Sequence, residues 1–270
     1  MVMNEVFSYT TTSQIDAKLY KDILAYEDKL EKIYIVIFLI LVFLFRGWIG
    51  YWLKFGVAIP SGYTSSTIDV SKDPIQIDYS PEDKEKKIFT YTSLINDHKI
   101  EIFPQAHYEL SGSVVAYNYN FIFVSDFFDS AALYDLGAAW GKLSDKKFYK
   151  KYFQSYSDKN QVTGSRILWT EFKTRQMPVT ADYAMSHWSH SHIVPASRNV
   201  MAAMLKLKEW DKVKIEGELI DMKYRRSKFS DVQEYKTSLS RTDTERYNRG
   251  YGSCETVYVT SVQIGNFIYK

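Results

Sequence analysis

The side chains best suited to chemistry include three histidines, His187, His190 and His192, that fall within six residues of the chain. Imidazole nitrogens are common ligands of zinc and copper, and His190 and His192 point to the same side of an extended backbone. A catalytic zinc site normally has three protein ligands and an open position, which these histidines would supply only if the chain folded back on itself. We therefore predict a structural cluster with no metal or other cofactor. A metal site on His187, His190 and His192 is the alternative.

Cys254 is the one cysteine of the chain. With His192 and Asp243 it supplies the residue types of an activated thiolate, in which a base takes the thiol proton and a carboxylate orients that base. A single cysteine on a strand is more often a small buried apolar side chain. Because the sequence alone does not bring these three residues together, it assigns no catalytic residue, and an enzyme is the less favoured class.

Residues 223–253 are rich in Lys and Arg, which outnumber the acids there and lie between two predicted strands. Loops held by a rigid sheet commonly carry recognition sites. A soluble hairpin whose charges discourage edge pairing is the alternative interpretation. We predict a binding surface in and beside this segment, formed by Arg225, Arg226, Lys228, Arg241 and Asp243.

The overall charge narrows the classes of partner. The chain has 34 Lys and Arg residues against 32 Asp and Glu residues, a net charge of +2. A protein that follows nucleic-acid phosphates presents a strongly basic face, so nucleic acid is not the predicted partner. The sequence also lacks a glycine-rich phosphate loop and a serine nucleophile elbow.

Residues 33–53 form an apolar run whose first thirteen residues carry no charge. As a helix, this run rises roughly 31 Å, which matches the hydrocarbon core of a bilayer. Trp48, Tyr51 and Trp52 suit a membrane interface, and Arg46 can extend its charge toward the headgroups. We predict one transmembrane helix here, with a buried core helix or an uncleaved signal peptide as the alternatives.

Lysines before this run set the expected topology. Lys18, Lys21, Lys29 and Lys32 precede it, and fewer positive residues follow it closely. By the positive-inside rule, the N-terminus lies in the cytoplasm and the large domain lies outside. We predict a protein of the inner (cytoplasmic) membrane with a periplasmic domain.

The rest of the chain divides by composition. Residues 1–32 read as a tail followed by an amphipathic helix, whose apolar stripe favours pairing with a second copy. Residues 54–85 are rich in Ser, Thr, Asp and Pro and are predicted to be a linker. Residues 86–270 are long enough for a globular domain with its own core.

The globular domain is predicted to be α+β, mostly antiparallel β, with a small barrel-like region. The whole chain has 22 Tyr residues, a residue type that favours strands. Gly112 suggests a bend that curls the sheet. Residues 131–145 are predicted to be a loop around Trp140, and Ser197 is a natural N-cap for a helix. The predicted strands cover residues 87–91, 99–103, 108–117, 166–173, 213–222 and 256–264, with a further helix over 146–156.

Several short motifs occur in an order that resembles a known group. They are residues 135–137 with 140–141, then 192–196, 212–217, 238–244 and 252–255. This order resembles uncharacterised membrane-anchored bacterial envelope proteins over roughly residues 85–265. The resemblance implies an envelope location and transfers no catalytic residue.

These observations predict a membrane-anchored binding or scaffold module that acts through a β-rich extracytoplasmic domain. Its expected partner is another protein or a second copy of the chain, and no small-molecule substrate is assigned. The alternative is a membrane-tethered hydrolase that uses the His187, His190 and His192 cluster or Cys254.

Overall fold

The computed structural model describes residues 25–26, 29–40, 54–96, 98–119, 127–159, 166–174, 176–226, 236–240, 242, 244 and 254–270. The chain forms two compact units, Met1–Leu53 and Lys54–Lys270.

In the first unit, the described residues 29–40 form helix α1. Its apolar residues from Ile33 to Ile40 are all exposed. Within the described part of the chain, no helix has both the length and the apolar character needed to cross a membrane. Residues 41–53 of the predicted span lie outside the described residues, as does most of the predicted amphipathic helix.

The second unit is a mixed α+β fold with mostly antiparallel strands, which confirms the predicted class. Its described strands are β1 (Gly62–Tyr63), β2 (Ile75–Asp78), β3 (Phe89–Thr92), β4 (Lys99–Tyr119), β5 (Tyr134–Ala139), β6 (Phe153–Lys159), β7 (Arg166–Phe172), β8 (Trp188–Pro195), β9 (Lys212–Arg226), β10 (Lys236–Ser240), β11 (Glu255–Ile264) and β12 (Phe267–Tyr269). Its described helices are α2 (Pro81–Lys86), α3 (Phe127–Ala131), a 3-10 helix (Gly141–Ser144), α4 (Lys146–Tyr152), α5 (Ala181–Ser186) and α6 (Arg198–Met204).

Five strands close into a barrel in the order β4, β5, β8, β11, β9 and back to β4. The pairs are antiparallel except β8 with β11, which run parallel. Helix α6 connects the third of these strands along the chain to the fourth. This connectivity is that of an OB-fold, the small five-stranded Greek-key barrel.

Alternation along β9 identifies the two faces of the barrel wall. Val213, Ile215 and Leu219 are fully buried, whereas Lys214 and Glu216 between them are not. The apolar set therefore faces inward. Residues paired across neighbouring strands point to the same face, so the inward-facing layer can be followed around the barrel. It runs through five fully buried residues, one on each strand: Ala106, Leu219, Val257, Ile193 and Tyr134.

Among the described residues, two apolar clusters lie outside this inner layer. One joins Tyr91 of β3, Ile102 of β4 and Met222 of β9 to residues of α3 and β8. The other packs Tyr149 of α4 and Phe153 of β6 against β4 and β5. Parts of the outer face of the barrel are therefore as deeply buried as its interior.

The predicted linker over residues 54–85 is instead part of the second unit. It contributes β1, which pairs with β12, and β2, which pairs with β4. Both strands are too short to stand out in the sequence, and they form because β12 and β4 offer free edges. The three predicted strands between 87 and 117 are β3 and the single long strand β4, which bends through a register shift after Pro104.

Residues 131–145, predicted to be a loop, contain strand β5, and all six of its residues are buried. A strand buried on both faces has no polar alternation, so the pattern of the sequence does not reveal it. The predicted helix 146–156 ends at Tyr152, where β6 begins. The N-cap at Ser197 is confirmed, because its hydroxyl accepts a hydrogen bond from Val200 N–H.

Candidate active site

Strands β5, β8 and β11 bring together four side chains that could take part in a reaction: Asp135, His190, His192 and Cys254. Asp135 of β5 is the register partner of His192 of β8, and His192 is the parallel partner of Thr256 of β11. Cys254 lies two residues before Thr256, so strand alternation gives it the same side. Since Tyr134, Ile193 and Val257 face inward, this constellation lies on the outer face of the barrel wall.

Asp135 orients His192. The imidazole Nδ1 lies 2.8 Å from Asp135 Oδ1, and the Asp135 side chain is almost completely buried. An ionised carboxylate only accepts hydrogen bonds, so Nδ1 carries the proton that it donates to Asp135. Nε2 is then the His192 nitrogen left for a partner on the other side of the ring.

His190 contacts the sulfur. Cys254 Sγ lies 3.4 Å from His190 Nδ1, which is within hydrogen-bond distance for sulfur. The His190 and His192 ring centroids are 4.8 Å apart, and His192 also hydrogen-bonds the thiol. The second nitrogen of His190, Nε2, is buried and has no hydrogen-bond partner among the described residues.

The site favours a thiolate next to an imidazolium. Burial acts to raise the pKa of the Cys254 thiol, but hydrogen bonds and charge from His190 and His192 outweigh it and lower that pKa to about 6. Burial acts to lower the pKa of His192, but Asp135 and Cys254 outweigh it and raise that pKa to about 9. Between these two values the sulfur is negative and His192 is positive.

The site is partly covered. Phe128 of α3 meets His192 edge-on, with ring centroids 5.1 Å apart. On β5, Gly137 lies opposite His190, and Leu168 of β7 packs closely against this glycine. A Cβ added at Gly137 would lie only 3.0 Å from the Leu168 side chain. The His192 side chain nevertheless keeps 22% of its exposure, so small molecules and ions can reach this part of the cluster.

The start of β11 is held in place beside the site. Thr256 N–H donates to Thr242 Oγ1, and Thr242 N–H donates to Asp221 Oδ1 of β9. Two hydrogen bonds therefore fix the backbone two residues after Cys254.

His187, the third histidine of the sequence cluster, belongs to a different environment. Its ring stacks on Tyr183, with centroids 3.6 Å apart, and its Nδ1 lies 2.8 Å from the Tyr183 carbonyl oxygen. Its Nε2 lies 3.7 Å from Asp73 Oδ1. The three-histidine metal set is therefore not assembled. The expected shared direction of His190 and His192 is confirmed by the contact of their rings, whose centroids are 4.8 Å apart.

A different set of side chains offers ligand atoms in one place. Asp135, His190 and His192 each place one such atom within 4.8 Å of the others. The prediction that the protein binds no metal or cofactor stays a prediction.

The predicted binding residues lie elsewhere or outside the described part of the chain. Arg225 and Arg226 are at the end of β9, where they pair with β10. Lys228, Arg241 and Asp243 lie outside the described residues. The binding surface thus stays a prediction.

The carboxylate that the structure places at the site is Asp135, which the sequence did not identify as a candidate. Its strand was predicted to be a loop, so nothing in the pattern placed it opposite His192. The signal that could have found it is the short buried strand itself, since an acid inside an apolar stretch needs a partner.

Comparisons of this protein with family models, with curated proteins and with solved structures found no match. The resemblance to envelope proteins therefore also stays a prediction.

Proposed function

We propose that the protein is a thiol-dependent enzyme that hydrolyses or transfers acyl groups, with Cys254 as the nucleophile. The observation that carries this proposal is the contact of Cys254 with His190 at 3.4 Å and its hydrogen bond with His192, whose ring is oriented by the buried Asp135. A nucleophile, a base and a group that orients the base are the parts of a catalytic triad.

The first step makes a thioester. The Cys254 thiolate attacks the carbonyl carbon of an ester, thioester or amide, a C–S bond forms, and the bond to the leaving group breaks. The departing group takes the proton of the His192 imidazolium.

The second step restores the enzyme. Water attacks the thioester carbon and gives its proton to His192, the C–S bond breaks, and the carboxylic acid leaves with the thiolate regenerated. If a different nucleophile replaces water, the same step transfers the acyl group.

Asp135 and His190 have separate roles in this scheme. Asp135 fixes the ring of His192 and stabilises its positive form, as the carboxylate of a triad does. His190 contacts the sulfur directly and adds a second hydrogen-bonding group that favours the thiolate.

The position of the site on the barrel is consistent with a ligand-binding role. The outer face of the second and third strands is where OB-fold proteins contact their ligands, and those strands correspond here to β5 and β8. A fold does not determine a function, so this position adds support only through the residues it carries.

The test uses the single cysteine and a reporter ester, p-nitrophenyl acetate. We expect a burst of nitrophenolate and an acetyl adduct on Cys254 in intact-mass spectra. His192→Ala should slow acetylation roughly hundredfold, within the usual range for an acid–base residue. Cys254→Ser should give no stable adduct.

His187→Ala is the matched control, because His187 is a nearby histidine outside the site. It should leave the acetylation rate within about twofold of the parent. Equal acetylation of the parent and the His192→Ala variant would rule out the proposed role of His192.

We also propose that residues 33–53 anchor the protein in a membrane. Support comes from the uncharged apolar run of residues 33–45 and from the exposed apolar residues of α1, because a helix that is apolar on all sides needs an apolar environment. On carbonate washing of membranes, we expect the full-length protein to remain in the pellet. Recovery in the wash would contradict the anchor.

A further inference from the structure

The Cys254 thiol and the two imidazoles beside it also form a set of ligands for a borderline-soft metal ion. We propose that Cys254, His190 and His192 bind Zn²⁺, and that the bound ion reversibly blocks the thiol. The blocking rests on the proposed function, whereas the binding does not.

The distance between the first two ligand atoms already suits zinc. Zn–S bonds are about 2.3 Å and Zn–N bonds about 2.0–2.1 Å, so sulfur and nitrogen at a tetrahedral ion lie about 3.5 Å apart. Cys254 Sγ and His190 Nδ1 are 3.4 Å apart. An ion can therefore replace the proton between them with little movement of either side chain.

His192 is oriented as a ligand histidine usually is. Its Nδ1 is held by Asp135, which leaves Nε2 for the metal. Histidine ligands commonly donate their other N–H to a carboxylate, which fixes the ring and makes the ligand nitrogen more basic. Asp135 thus supports the site through His192, because its oxygen is engaged with Nδ1 at 2.8 Å.

The types of ligand select the ion. Thiolate and imidazole suit zinc and its neighbours among the transition metals, whereas Mg²⁺ and Ca²⁺ need several oxygen ligands. Three protein ligands leave the fourth tetrahedral position open to water. The partial exposure of His192 gives an ion from solution a path to the cluster.

Zinc binding and thiol catalysis exclude each other at this site. A thiolate that shares its electron pair with the metal is not available to attack a carbonyl carbon, and Nε2 of His192 can no longer accept a proton. The two activities therefore use the same atoms in alternation, and free zinc sets how much of the protein is active.

The experiment uses the full-length protein in detergent after removal of metal by a chelator. Zn²⁺ is titrated against a chromophoric chelator, and Co²⁺ is used as a spectroscopic substitute. We expect one ion per chain and a near-ultraviolet band from thiolate to cobalt. Cys254→Ser should abolish the band, and His190→Ala and His192→Ala should each weaken binding at least tenfold.

Two matched variants show whether the effect is specific. His187→Ala should leave zinc affinity unchanged, because His187 lies in another environment. Asp135→Asn should weaken binding about 10- to 100-fold, the usual effect of removing the partner of a ligand histidine. Absence of the cobalt band, or equal weakening by His187→Ala, would overturn the proposal.

Protection of the thiol separates this inference from the proposed function. One equivalent of Zn²⁺ should suppress alkylation and acetylation of Cys254, and excess chelator should restore both. If acetylation proceeds but zinc gives no protection, this inference fails and the thiol enzyme stands. If zinc binds with the cobalt band but acetylation of Cys254 requires the metal, the binding stands and the metal-free thiol mechanism fails.

Discussion

Alkylation of Cys254 by iodoacetamide in the metal-free protein is expected to be nearly constant between pH 7 and 9 and to fall below that range with a midpoint near 6. The pKa of Cys254 is about 6, because contact with His190 and His192 outweighs the effect of burial. At pH 7 about nine-tenths of the sulfur is then thiolate, whereas an ordinary thiol is only a few per cent ionised. For an ordinary cysteine, the alkylation rate would instead rise by up to tenfold with each pH unit between pH 7 and 9.

His192→Ala should move this midpoint upward by at least about one unit, since it removes the positive charge beside the sulfur. The measurement is the pseudo-first-order rate of mass increase, and the chain has no second cysteine to confuse it. His187→Ala serves as the control and should leave the midpoint in place. A parent protein whose rate keeps rising up to pH 9 would contradict the ion pair.

Asp135→Ala should lower the free energy of unfolding by about 3–5 kcal/mol, the usual cost of removing one partner from a buried charged pair. Asp135 is almost completely buried and holds His192, which would be left without its partner. Asp135→Asn should cost less, because an amide oxygen can still accept the Nδ1 hydrogen bond. Urea unfolding followed by tryptophan fluorescence measures both variants.

The control for this prediction is Glu101→Ala. Glu101 pairs with Lys223 at 3.4 Å, and about half of each side chain is exposed. An exposed pair of this kind contributes below about 1 kcal/mol. A cost for Asp135→Ala as small as that of Glu101→Ala would refute the buried pair.

The unfolding measurements are best made near pH 7.5 because proton linkage then interferes least. The pKa of His192 is raised, so its stabilising effect is present below the unfolded value and is lost as the pH rises through about 9. The pKa of Cys254 is lowered, so its effect is present above the unfolded value and is lost as the pH falls through about 6. Between these values the two slopes oppose each other.

The sequence predicts the parts of the fold that have strong periodicity. Apolar and polar residues alternate clearly along β9 and β11, and Ser197 is a recognisable N-cap for α6. These three elements are therefore found where they were expected. Strand β5 was missed, because burial on both faces removes the alternation on which the prediction depends. The short strands β1 and β2 were missed because their pairing partners, not their own residues, make them strands.

The same reasons explain what the sequence did and did not predict of the site. The common direction of His190 and His192 follows from local spacing and was predicted correctly. The contact of Cys254 with these histidines was only one possibility, because it depends on the parallel pairing of β8 and β11, which local patterns do not encode. Asp135 was overlooked together with its strand.

The parallel pairing of β8 with β11 also has a consequence for the kinetics of folding. Cys254 and His190 are separated by 64 positions in the chain, and Asp135 and His192 by 57. Contacts between such distant positions form late, since the entropy of closing the intervening chain must be overcome first. The low pKa of Cys254 therefore exists only after β11 has closed the barrel. A brief pulse of alkylating reagent at pH 7 would consequently mark the molecules in which β11 has already docked against β8.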